Sequence, residues 1–96
     1  MKEYSEEDQL LTTAVIGVEA ERFRSTRVGR KMEDRARAKI ANAQNALVTV
    51  EPTDTEKIRA LQNEAKLGAM FLTWLDDLIH DGQQAEEDIQ KESRTD

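Results

Sequence analysis

The most regular hydrophobic pattern in the chain lies in its second half. Ile58, Leu61, Ala65, Gly68, Leu72, Leu75 and Ile79 alternate spacings of three and four without a fault, the repeat of a helix that buries one seam against a partner. A second seam, Leu67, Phe71, Trp74 and Leu78, runs one position before the first. Two adjacent seams make an apolar face wider than a two-helix hairpin can cover, so contact with more than one other helix is expected.

Upstream, Met32, Ala36, Ile40, Ala43, Leu47 and Val50 recur at spacings of four and three and predict a helix over 31–50. Thr49-Val50-Glu51-Pro52 ends it, because the proline ring disfavours a helical residue before it. Thr53-Asp54-Thr55-Glu56 then fits a capping box in which the Thr53 hydroxyl takes an amide of the new first turn and Glu56 reaches back. The next helix is expected over 54–81, with Gly82 as a left-handed stop. Residues 83–96 read as an acidic, frayed tail that Ala85 and Ile89 could carry onward as helix. The two arms form a long antiparallel helical hairpin turning at Pro52.

At the other end, Ser5 followed by Glu6, Glu7 and Asp8 has the chemistry of a helix start: a capping hydroxyl, then acids over the positive end of the dipole. Leu11, Val15 and Val18, with Leu10 and Ala14 beside them, give one stripe of a helix over about 5–23. From Arg24 to Lys31 the only apolar residue is Val28, with Ser25, Thr26 and Gly29 nearby. Residues 22–31 are therefore a kink or a corner. The N-terminal helix folds back as a third helix or extends the second, and either arrangement gives Phe71 and Trp74 their cover.

Composition sharpens this into an all-α domain spanning 1–96. With 38% apolar and 35% charged residues, one Pro and four Gly, the chain resembles long helices more than a sandwich or barrel. A chain this short needs efficient packing to fold alone, and completion into a helical bundle by self-association, as a dimer or higher homo-oligomer, is the expectation. The absence of cysteine excludes disulfides, Cys-ligated zinc and thiol nucleophiles. No apolar run approaches the roughly twenty residues of a membrane helix. The opening Met1-Lys2-Glu3-Tyr4-Ser5-Glu6-Glu7-Asp8 lacks the basic and then apolar character of a signal peptide. Cytoplasmic location and no membrane partner follow as expectations.

The net charge of −6 is unevenly spread. Residues 1–21 carry one basic against six acidic residues, 22–39 eight against two, and 40–96 five against twelve. The basic block could track a polyanion, and Arg24, Arg27, Arg30 and Lys31 are its candidate contacts. Arg35 and Arg37 cannot share one helical face, however, and the flanking acidic segments are ready partners for the block. Pairing with acidic helix ends is the preferred reading, and nucleic-acid association is the alternative.

Catalytic chemistry finds little support. His80, the single histidine, has Asp76 and Asp77 four and three residues before it, but one such piece falls short of the ligand set of zinc or of a carboxylate-bridged di-metal bundle. It reads as a solvated histidine near a helix C-terminus. Glu64, Asp77, Asp81 and Glu87 fall opposite the seams, as solubility charges do, and the glycines at 17, 29, 68 and 82 stand too far apart for a phosphate loop. The expectation is a non-enzymatic protein without cofactor or metal, whose candidate protein interface is Leu67, Phe71, Trp74 and Leu78. The same aromatic stripe is also compatible with plain core packing against the N-terminal helix.

The stretch Val50-Glu51-Pro52-Thr53-Asp54-Thr55-Glu56-Lys57-Ile58-Arg59-Ala60-Leu61-Gln62-Asn63-Glu64, followed by Trp74-Leu75 and Gly82, resembles small helical-hairpin proteins encoded by tailed bacteriophages. The resemblance covers the second half of the chain. It implies a phage accessory protein in the host cytoplasm, a virion or assembly component or a small inhibitor of a host protein, and it assigns no site.

Overall fold

A computed structural model of the chain describes residues 5–94; among these it holds three α-helices and no strand. Helix α1 spans Glu6–Ser25, α2 spans Arg27–Thr49 and α3 spans Thr55–Arg94. Ser5 caps α1 as its sequence suggests, its hydroxyl accepting from the Asp8 amide at 3.2 Å. The break near residue 26 is a single residue. Thr26 is extended, and both its amide and its hydroxyl donate to the Phe23 carbonyl, at 3.0 and 2.6 Å. These bonds satisfy the end of α1 and leave α2 to begin at Arg27, four residues earlier than the 31–50 expectation.

Pro52 occupies the second position of a turn closed by the Asp54 amide donating to the Glu51 carbonyl at 2.9 Å. The cap beyond it differs from the expected box. Asp54, not Thr53, caps α3: its Oδ1 accepts from the Lys57 amide at 3.1 Å. The tight turn uses Thr53 up, its carbonyl accepting from the Thr55 amide at 3.0 Å, so the helix starts one residue later and Asp54 inherits the capping position.

Gly82 does not stop α3. No glycine of the described chain has positive φ, and the helix runs 40 residues, about 60 Å at 1.5 Å per residue. Residues 83–94, read from sequence as a frayed tail, are helical, with Ala85 buried and Ile89 half-buried; residues 95–96 lie outside the described chain, as do 1–4.

Helix contacts fall into two compact units. In the first, the turn unit (27–74), α2 and the opening half of α3 form an antiparallel hairpin. Its inward row on α2 is Gly29, Glu33, Ala36, Ile40, Ala43 and Leu47, continued by Val50 just past the helix, all buried or half-buried, while Met32 lies exposed at the margin. On α3 the first seam faces it, from Ile58 to Leu72. The closest approach is at Gly68, where a Cβ would stand 2.6 Å from the Ala36 carbonyl oxygen and 2.9 Å from Ile40 Cγ1.

In the second, the terminal unit, α1 packs antiparallel against the later half of α3. Here a Cβ on Gly17 would lie 2.6 Å from the Gly82 Cα, and one on Gly82 equally close to the Gly17 Cα. The backbones touch, and only small side chains fit beside them. The inward row of α1 is Leu10, Thr13, Gly17, Ala20 and Arg24, small at Thr13, Gly17 and Ala20 around the contact, with Ala14 and Phe23 at its edges. Leu11, Val15 and Val18, expected to be the packing stripe, point outward and are about half exposed. Ala20, Leu75 and Ile79 form the buried cluster, and Phe23 packs against it.

Gly82→Ala tests the backbone contact. Alanine gains about 1 kcal/mol of helix propensity, but the added carbon meets backbone that cannot swing aside, and forced separation of packed helices costs about 1–3 kcal/mol. Urea denaturation followed by circular dichroism is expected to show net destabilisation. At the turn, Asp54→Ala is expected to cost about 1 kcal/mol in the same assay, and Thr53→Ala less than about 0.5 kcal/mol, because its side chain caps nothing.

Candidate interaction surface

The second seam of α3 is not core within these units. In the turn unit Leu67 and Trp74 are each 59% exposed, Met70 is exposed as well, and Phe71 is half-buried. In the terminal unit Leu78 is 44% exposed. The first seam explains this: its residues take the inward positions of α3 from Ile58 to Ile79, so a row one residue earlier, rotated by about 100°, stands at the flank. Among the described residues the core is built largely of alanines, Ala20, Ala36, Ala43 and Ala85, with Leu75 and Ile79 the only large buried side chains. The bulk of the chain's large apolar surface is outside.

On the turn unit this exposed row borders a groove of about 250 Å³. Its floor is Ala36 and Gly68, where the helices approach most closely; Met32, Leu67 and Phe71 form its apolar walls, and Arg35 and Lys39 its cationic rim. The groove exists because of the glycine: a larger residue at 68 would fill it or force the helices apart. Toward the turn the rim continues past Asn42, with Glu64 across from Lys39.

The four candidate cations separate. Arg24 belongs to the terminal unit, where it is half-buried and its Nη2 donates to the Asp76 carboxylate. Arg27, Arg30 and Lys31 lie exposed on the outer face of α2, at positions that bring them together on one side. Glu33, which stands on the inward row, has a side chain only 13% exposed, and its carboxylate accepts from Arg37 at 3.3 Å. Sequence periodicity gave no sign of this charge in the seam, since a helix read by its apolar residues passes over an acid at a heptad position.

His80 sits fourteen residues inside α3, exposed, and not near the helix C-terminus that its expected role as a dipole partner required. Its neighbour Asp76 is engaged by Arg24. Among the described residues no three His, Asp or Glu side chains are grouped to hold a metal ion. A concavity of the terminal unit, about 550 Å³ between the start of α1 and the end of α3, is an open trough lined by Glu6, Gln9, Leu10, Thr13, Asp88, Lys91 and Glu92. No helix of the described chain is long and apolar enough to cross a membrane.

No family model, curated protein or solved structure matches this chain.

The Arg24–Asp76 pair is wet, with side chains 37% and 67% exposed, and screening leaves such pairs worth about 0–1 kcal/mol. A double-mutant cycle of Arg24→Ala and Asp76→Ala, read by thermal denaturation, is expected to give a coupling below about 1 kcal/mol that shrinks further in high salt.

Proposed function

We propose that this chain is a non-enzymatic protein-interaction module that self-associates and acts by occupying a protein partner. In keeping with the resemblance of its second half to small phage hairpins, we read it as a phage accessory protein of the host cytoplasm, serving as an assembly component or as an inhibitor of a host protein. The observation that carries the reading is the exposed row of Leu67 and Trp74 with half-buried Phe71, beside a seam already satisfied. Tryptophan and phenylalanine are favoured anchors at interfaces, and exposed apolar side chains that adjoin one another mark contact sites more often than scattered ones do.

A second reading rests on Arg27, Arg30 and Lys31, exposed together on α2, in a unit with nine basic against six acidic residues. It makes the chain a nucleic-acid-associated helical protein. Binding to mixed-sequence DNA or RNA that weakens steeply with salt supports it, and no binding at low salt removes it.

Light scattering across a micromolar concentration series is expected to show mass above one chain, accompanied by a blue shift of the emission of Trp74, the only tryptophan. Leu67→Asp is expected to weaken association by about 10- to 100-fold while circular dichroism reports unchanged helix content. A monomer at every concentration, with unshifted Trp74 emission, overturns the self-associating reading.

A further inference from the structure

Two apolar rows in this structure lack cover, and they complement each other. On the terminal unit, Leu11, Val15 and Val18 are 48%, 54% and 50% exposed and occupy an outer flank of α1, with Val18 at the margin of its seam with α3. A helix with a purely solvated outer face would carry polar residues there. On the turn unit, Leu67, Phe71 and Trp74 line the flank of α3 above the groove. Both rows are spaced four and then three residues apart, so two helices running parallel can pair them layer by layer.

We infer that the groove of the turn unit is the docking site for α1 of a second copy of this chain, with Leu11 against Leu67, Val15 against Phe71 and Val18 against Trp74. The inference rests on the self-associating reading and specifies its contact.

Charge selects this occupant. The groove is rimmed by Arg35 and Lys39, and the register places exposed Glu7 and Asp8 of the incoming α1 at the end of the groove where Lys39 stands across from Glu64, so two cations and one acid meet the two incoming acids. The units differ in the same sense as a whole: the described residues of the terminal unit hold twelve acidic against four basic residues, and the turn unit holds nine basic against six acidic. A turn unit facing another turn unit would set Arg35 and Lys39 against their own copies. Contact between unlike units removes that repulsion and steers the encounter.

The chain has no cysteine, so introduced thiols report single contacts. Leu11→Cys and Leu67→Cys are made in separate chains, both at exposed positions, and mixed in a redox buffer that allows exchange. Because the two thiols never share a chain, a disulfide between them reports an intermolecular contact. The expected result is that the mixed disulfide dominates over both homodisulfides. Lys39→Glu in the Leu67→Cys chain should lower its yield severalfold, and Asp8→Lys in the Leu11→Cys chain should restore it. Dominance of the Leu67→Cys homodisulfide in a protein that scatters as an oligomer overturns this inference and leaves self-association standing. A mixed disulfide indifferent to both charge changes, or preferential coupling of Leu11→Cys to a Trp74→Cys chain, overturns the register and with it the inference. A chain that remains monomeric by scattering overturns the inference and the self-associating reading together.

Discussion

Helix backbones in contact set the terms for the rest of this molecule. At Gly17 and Gly82 the separation leaves no room for a single methyl carbon, and at Gly68 the same holds against the Ala36 carbonyl. Side chains next to such contacts must be small, which is why alanine and not leucine dominates the buried positions. The helices gain close dispersion contact between main chains but bury little apolar area. Large residues are excluded from the points of closest approach, and many of them remain on the outside of the same helices. The exposed rows of α1 and α3 are thus the complement of the tight seams.

Charge follows the same division. What reads along the sequence as one basic block from Arg22 to Lys39 is cut at Thr26. Arg22 and Arg24 go to an acidic unit, where Arg24 is taken up by Asp76, and the remainder goes to a unit with a basic excess. A linear tally overstated the positive surface available to a polyanion and hid the contrast between the units. That contrast gives the apolar rows direction, since hydrophobic contact alone does not choose between like and unlike faces.

Much of the architecture was legible in the residues. The seam from Ile58 to Ile79 is inward at every position because large apolar residues at strict spacing leave a helix one face to bury. Pro52 marks the turn because its ring acts locally, whatever surrounds it. The misreadings share one cause. A seam of glycine, alanine and threonine has almost no hydrophobic amplitude, so on α1 the louder signal of Leu11, Val15 and Val18 was assigned to the inside, and Gly82, the residue of closest contact, resembled a stop. Whether a helical glycine ends a helix or lets another backbone approach depends on a residue 65 positions away at Gly17, and no local pattern carries that information. The exposed aromatic seam was legible as a wide face, but its exposure was not, since width alone does not say which neighbour arrives.

The one-residue break at Thr26 bears on how the molecule assembles. The contacts of the turn unit close over a short loop at Pro52, and their partners are near in sequence. Those of α1 must close over nearly the whole chain, and the entropy of closure rises with the length enclosed. Contacts local in sequence form sooner, so the hairpin around Pro52 closes before α1 packs onto the later half of α3. A helix with an unspent apolar row is therefore also the last to be committed, and the one that opens first when the native contacts loosen.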